Sequence, residues 1–424
     1  MRRTIRRLTF VSDAPHFGGA ERYIVAMAHA ARRRGIEPRV HWLPVPTGDA
    51  DVFAAARQQG IRVTHHDTGR PRGVVSLIRG FRAMVLRDRP DALVINASGR
   101  PCHWLLPWLA WRAERPAVWV HQMVDARDHR RLRPKWFDGR MEGLQCWRVP
   151  QMVRHRLAAT AATAVVVLNA EDRERIIRWQ GVPRDKIRVI PHGVDCEQFH
   201  FDPRGRLRYR QAWGIGEGNG NPPLVVGAAG RLSGEKGMDL LIEAAARLVA
   251  AKVPVRIVIA GQGRERDALM DLAARRGVAE VVRLLDFVED MSAYYSAVDV
   301  FVLCSRTESF GLALAEAMAC ERTVIGTPTA GAMRQIDHRH TGWQLKTFSP
   351  VELADALAAI YRDPHGRERM GMAARESVIR EFSIDLTLER TLRALHGSAH
   401  RRSRLPWPGM DALPYAAMAA EDSA

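Results

Sequence analysis

Short apolar runs alternate with amphipathic helical stretches along most of this chain. In the first half the runs Leu8 to Val11, Arg39 to Leu43, Ile61 to Thr64, Ala92 to Ile95, Ala117 to Val120 and Ala164 to Leu168 have the length and apolar content of buried strands. Helical periods separate most of them, most clearly from Ala20 to Arg34. The second half repeats the rhythm, with strands expected at Leu224 to Ala228, Arg256 to Ala260, Val281 to Leu285, Val298 to Leu303 and Thr323 to Ile325. Helices are expected between them at Met238 to Ala250, Glu265 to Arg276 and Gly311 to Ala319. This alternation predicts an α/β protein with parallel sheets covered by helices. The stretch Phe201 to Pro223, rich in Gly, Arg and Asn, breaks the rhythm and marks a domain junction near residue 200. The expected organisation is a domain over 1–200, a second over 201–397, and a flexible tail over 398–424 that has no period.

A length of 424 residues agrees with two domains rather than one core. No apolar run reaches membrane-spanning length, and no signal-peptide core follows the basic first residues. The five cysteines (Cys102, Cys146, Cys196, Cys304, Cys320) are odd in number and far apart. They read as reduced thiols of a cytoplasmic protein, with no zinc spacing. The net charge is +17, and residues 1–200 hold almost all of it, with 35 Lys and Arg against 19 Asp and Glu. That half is expected to face something anionic, although arginine-rich base composition would leave the same mark.

The most informative local pattern is Glu308 and Glu316 in the run Thr307 to Ala319. Glu308 falls in a strand-to-helix loop and Glu316 on the helix, more than one turn in. A helix start at the carboxyl end of a parallel strand offers free N–H groups and a positive dipole end to phosphate. Acids flanking such a site make sense as acceptors for hydroxyls on either side of a pyrophosphate, which is the shape of a sugar nucleotide. Phe310-Gly311 permits the tight turn between them. Two glutamates at this spacing also occur by chance in helical proteins.

Other candidate chemistry also lies in loops after strands, where ligands of open parallel sheets bind. Gly230 to Gly237 places Arg231 and Lys236 on a glycine loop that can fold both charges onto one pyrophosphate. Asp13 to Glu21, with Gly18 and Gly19, follows the first strand; its glycines allow close backbone approach or serve only a turn. Gly261-Gln262-Gly263 is a fragment of a dinucleotide fingerprint without its third glycine. Pro191 to Asp195 reads as a structural turn. His121 ends a strand, a position more often structural than catalytic. Asp49-Ala50-Asp51 reads as helix capping.

Together these residues resemble the retaining glycosyltransferases of family 4, of the bacterial envelope and exopolysaccharide type. Those enzymes have the GT-B fold of two Rossmann-like parallel-sheet domains facing an interdomain cleft. The resemblance spans residues 5–395, in the family's motif order. It implies that Arg231 and Lys236 neutralise the donor diphosphate, that Glu316 binds the ribose and that Glu308 binds the donor sugar. The backbone at Phe310, Gly311 and Leu312 would meet the phosphates, with Gly18 and Gly19 approaching from the other domain. His121 would stand beside the donor sugar, and backbone near Phe287 and Val288 would contact the base. The last helix would cross back to the first domain. Where the family has Gly-Gly and then Glu after the next strand, this chain has Gly331-Ala332-Met333-Arg334-Gln335-Ile336.

The implied reaction moves a hexose-type sugar from a nucleoside diphosphate to a hydroxyl with retention, the sugar nucleotide being a substrate, with no cofactor and no metal. The acceptor is expected to be lipid-linked or an envelope glycan. Pro101 to Trp111, dense in Trp and Leu, precedes arginine-rich segments at Arg127 to Lys135 and Arg148 to Arg156. That pairing is expected either at an anionic membrane surface or in an ordinary core helix. The first choice predicts a cytoplasmic protein peripheral on the inner face of the cell membrane. Of the other classes, a basic nucleic-acid-binding protein leaves both glutamates unexplained and shows no recognition motif. An NAD-dependent dehydrogenase lacks the full glycine fingerprint. A noncatalytic sugar-nucleotide sensor remains a further choice.

Overall fold

The computed structural model describes residues 4–12, 19–42, 57, 60–65, 74–97, 104–122, 151–216 and 222–396. The first sheet comprises β1 (Arg7–Ser12), β2 (Glu37–Trp42), β3 (Arg62–His65), β4 (Ala92–Ala97), β5 (Ala117–His121), β6 (Ala164–Val167) and β7 (Ile187–Val189). Its order is β3-β2-β1-β4-β5-β6-β7. The second comprises β8 (Leu224–Ala229), β9 (Val255–Ala260), β10 (Val282–Leu285), β11 (Val300–Leu303), β12 (Thr323–Gly326) and β13 (Trp343–Gln344). Its order is β10-β9-β8-β11-β12-β13, and each recorded pairing in both sheets is parallel.

Strands such as Val300–Leu303 are buried at every position because helices cover both faces. The core therefore splits into layers on either side of each sheet, two per sheet. In both sheets the strand order reverses once, between β1 and β4 and between β8 and β11. Crevices form at such switch points. The loops after β1, β8 and β11 are the ones that carry the conspicuous residues.

Two strands escaped the pattern of apolar runs. β7 is an edge strand with two of its three residues exposed, and β13 has only two residues. The expected strand at Val298 begins instead at Val300, since Val298 caps the helix Met291–Ala297. Phe201 to Pro223 is not a structureless junction. It contains the helix Pro203–Ala212, with Asp202 as N-cap and Pro203 in the first turn. This helix packs on Met291–Ala297, and Arg206 and Arg210 bind Asp299 Oδ1 at 2.8 and 2.6 Å.

The Trp/Leu segment is largely core. In the helix Leu105–Arg112, Leu106, Pro107, Leu109 and Ala110 are buried against the first sheet, while Trp111 is exposed. Its start at Pro101 to His103, the segment Arg127 to Lys135, Arg148 to Pro150, Asp49 to Asp51, Gly18, Cys102, Cys146 and the tail from Ser398 lie outside the described residues. Among the described residues, Cys196, Cys304 and Cys320 are free thiols. Burial pushes Cys304 and Cys320 up to about 12, so neither is poised as a nucleophile.

The two sheets are joined by the chain's return. Val194 N donates to Phe382 O and Ile384 N to Val194 O, at 2.8 and 2.9 Å. Gly193 permits this contact, because a Cβ there would sit 2.5 Å from Ile384 Cα. The helix Ile384–His396 then packs on Gly19–Arg33 and β5, adding Ile384, Leu388, Ala394 and Leu395 to a layer of the first sheet. Arg33 closes the same seam on Asp195 at 2.7 Å.

Candidate active site

Lys236 ends a short 3-10 turn, Gly234–Lys236, in the loop after β8. Gly237 follows with φ +62, and a Cβ there would lie 2.2 Å from Cys304 O, so the loop rests directly on the end of β11. Arg306 pins it as a donor throughout: its backbone N–H goes to Glu235 O at 2.8 Å, its Nη1 to Gly234 O at 2.8 Å and its Nη2 to Asp239 Oδ2 at 2.7 Å. The result brings Lys236 Nζ to Glu308 Oε2 at 2.6 Å. Ser305 Oγ donates to the same oxygen at 3.3 Å.

The adjoining loop is held just as closely. Gly263 and Gly261, with φ +159 and +147, lie against the carbonyls of Leu232 and Gly230, where a Cβ would clash. The glycine pair after β9 thus supports the Arg231 to Lys236 loop from below, a packing role. Arg231 itself stays in solvent, its side chain 70% exposed and 4.0 Å from Glu235. Lys236, by contrast, is held on Glu308.

Glu316 is the fifth residue of the helix Leu312–Ala319 and is buried. Tyr295 donates its hydroxyl to Glu316 Oε2 at 2.7 Å, and Arg22 of the first domain approaches the same oxygen at 3.4 Å. Gly311 precedes the helix with φ +85. Gln335 Nε2 holds the carbonyl of Phe310. In a trans peptide that turns the Gly311 N–H to the opposite side. Gly331 lies so near that a Cβ would be 2.3 Å from Phe310 O, and its N–H donates to Glu308 O at 3.0 Å. The segment that departs from the family pattern therefore clamps the Glu308 to Gly311 loop.

The first domain meets this loop at several points. Asn169 caps the helix Ala170–Gln180 with its Oδ1 and donates Nδ2 to Ser309 O at 2.7 Å. Phe310 is buried against His192 and Phe382, and the His192 ring lies tilted against Tyr23 with 4.1 Å between centroids. Leu312 packs into layers of both domains. A Cβ on Gly19 would come within 3.5 Å of Leu312 Cδ1, an ordinary contact. The fold alone leaves room for a methyl there, so packing does not explain the glycine.

His121 ends β5, buried, with no hydrogen-bond partner on Nε2. Its ring neighbours are Trp119 and His155. Burial, helped by His155, lowers its pKa to about 3, so the ring is neutral. No recorded hydrogen bond or ion pair joins it to Lys236 or Glu308. Phe287 is 73% exposed, and Val288 packs partly against the second domain's core. Among the described residues, no three His, Cys, Asp or Glu side chains gather to hold a metal ion.

Sequence reasoning did not reach Arg22, Tyr295, Asn169 or Gln335. Asn169 had a local signal, an Asn before an acidic first turn. Arg22, Tyr295 and Gln335 had none, because each acts across a long sequence separation.

Two parallel-sheet domains, with Arg22 beside the first switch point reaching Glu316 beside the second, define a GT-B protein. The family model described as "Glycosyl transferases group 1" matches residues 215–377, and "Glycosyltransferase Family 4" matches residues 17–198. The chain belongs to the family 4 glycosyltransferases. A D-inositol 3-phosphate glycosyltransferase of Kribbella flavida is 34% identical over 55% of this chain, and the match spans only 56% of that relative's length. Another from Xylanimonas cellulosilytica is 29% identical over 87% of this chain and 89% of its own length. Among solved structures, Anabaena Alr3699/HepE in complex with UDP and glucose superposes with a TM-score of 0.73 at 20% identity, covering 92% of this chain and 100% of that one. That likeness concerns the fold.

Proposed function

We propose that this protein is a retaining, metal-independent hexosyltransferase that uses a nucleoside diphosphate sugar. The carrying observation is the Lys236–Glu308 contact at the foot of the helix Leu312–Ala319. A cation, a helix start and an acid for hydroxyls there meet at one crevice. Lys236, the helix dipole and, once an anion is present, Arg231 supply positive charge to a departing diphosphate. Glu308 takes the sugar hydroxyls and Glu316 the ribose. His121, neutral and with an open ring nitrogen, borders the donor sugar. Gly18 and Gly19 approach the phosphates, and backbone at Phe287 and Val288 meets the base. The anomeric carbon–oxygen bond to the diphosphate breaks as the acceptor oxygen bonds the same face. The acceptor's proton passes to the departing phosphate oxygen, so no protein nucleophile takes part.

The acceptor is lipid-linked or an envelope glycan, and the first domain meets an anionic membrane. The Trp-rich segment gives this less support than its composition promised, being mostly core. The neighbouring helix Val74–Asp88 supports it instead: Ile78 and Leu86 are exposed beside Arg79, Arg82 and Arg87, although Arg87 is paired with Asp88 at 3.0 Å. Absence of salt-sensitive cosedimentation with phosphatidylserine vesicles would remove the membrane clause. The reaction is tested by a thermal-shift panel of nucleoside diphosphates and their sugar conjugates, UDP first, followed by the anomeric configuration of the product by NMR. Binding raises the melting temperature by mass action. No shift with any of them would end this reading.

A further inference from the structure

Arg22 lies in the first turn of the helix Gly19–Arg33 in the first domain. Its Nη1 is 3.4 Å from Glu316 Oε2 in the second domain, with side-chain exposures of 36% and 4%. Tyr295 fills the other approach to that oxygen at 2.7 Å. Burial and then the Glu316 carboxylate raise the Tyr295 hydroxyl well above its usual range, so it remains a donor. One buried carboxylate oxygen is thus shared by a neutral hydroxyl from its own domain and a cation from the opposite one. Separating the domains would leave the buried charge to Tyr295 alone, and a buried carboxylate that loses its cation is strongly disfavoured.

We propose that Arg22 is a cross-cleft positioning residue for the nucleoside end of the donor: it shares Glu316 Oε2 with Tyr295, fixes the carboxylate plane, turns Oε1 to the ribose hydroxyls, and makes ribose capture depend on the domains being closed. This rests on the reading of the cleft as a sugar-nucleotide site. The hydrogen bonds recorded to Glu316 converge on Oε2, which leaves Oε1 as the oxygen for a ligand. Lys236 and Arg231 serve the diphosphate without any contact to Arg22. The two ends of the donor therefore respond differently to loss of this guanidinium. A lysine at position 22 keeps the charge but lacks the planar fork that reaches a carboxylate with fixed orientation.

The test is calorimetric binding of UDP, GDP, ADP and inorganic pyrophosphate to wild type, R22M, R22K, E316Q and R22M/E316Q. R22M is expected to bind the preferred nucleoside diphosphate on the order of tenfold more weakly, the effect of one hydrogen bond to a charged group. Its affinity for pyrophosphate, held chiefly by Lys236 within the second domain, falls by much less. R22K recovers part of the loss, and R22M adds nothing in the E316Q background. Small-angle scattering without ligand provides a second arm, in which R22M is more extended than wild type. Equal weakening of nucleotide and pyrophosphate would mark general damage and overturn the proposal, as would unchanged nucleotide binding with unchanged scattering. Wild type that binds no nucleoside diphosphate would sink the glycosyltransferase reading itself, a result distinct from an unselective R22M.

Discussion

Replacing Lys236 by methionine separates two consequences of one ammonium group. In the free protein Lys236 neutralises Glu308 at 2.6 Å, and both side chains are largely shielded, at 25% and 18% exposure. Removing the charge leaves Glu308 with the Ser305 hydroxyl at 3.3 Å. An under-satisfied charged group of this kind costs about 1–3 kcal/mol of stability. In the reaction the same group faces the departing diphosphate, where loss of one preorganised donor costs about 10²–10³ in kcat. The Lys236→Met variant should therefore melt a few degrees lower and turn over about 10²–10³-fold more slowly at saturating donor. Adding Glu308→Gln in the same chain removes the stranded charge. Melting should recover while turnover stays low. The assay couples nucleoside diphosphate release to a reporter, with thermal melts of the three proteins in parallel. A kcat within about threefold of wild type for Lys236→Met would refute the role of this cation in the mechanism. Recovery of turnover in the double variant would show that Lys236 serves only to neutralise Glu308.

Two further perturbations follow from the packing. His121 and His192 are both buried, and burial lowers each to about 3. Folded rings stay neutral while the unfolded chain protonates near pH 6.5, so the unfolded state takes up more protons as the pH falls. Their neutral burial is fully tolerated above about pH 7, and stability is lost as the pH drops from there toward 3. By pH 5 each ring accounts for about 2 kcal/mol. Urea midpoints at pH 7, 6 and 5 should fall for wild type and change less for His121→Gln/His192→Gln; parallel slopes would contradict the assignment. Gly193→Ala puts a Cβ 2.5 Å from Ile384 Cα and 2.7 Å from Thr387 Oγ1. It should cost about 1–3 kcal/mol and expose the helix Ile384–His396 to limited proteolysis. A wild-type cleavage pattern would show that the seam yields without opening.

Periodicity alone determined most of the architecture. Buried parallel strands such as Val300–Leu303 must be apolar at every position, and helices such as Met238–Ala250 must carry one apolar face, so both are legible without coordinates. The positions of Glu308 and Glu316 relative to a helix start were legible for the same local reason. Edge strands such as Ile187–Val189 were not, because exposure removes the apolar signal. Nor was the helix Pro203–Ala212, whose polar surface hides it although Asp202-Pro203 marks its start.

Tertiary structure decided which local signals became a site. The Trp/Leu run near residue 105 could have faced lipid or a core, and packing on the first sheet assigned most of it to the core. Gly261 and Gly263 turned out to pack against the carbonyls of a neighbouring loop, where a Cβ would clash. Arg231 and Lys236, equivalent in sequence, separated into a solvent-exposed cation and one held on Glu308. Arg22, Tyr295, Asn169 and Gln335 reach their partners only through strand order and domain closure. Hydrophobic burial is written into near neighbours along the chain, whereas hydrogen bonds and ion pairs are chosen by distances that only folding creates.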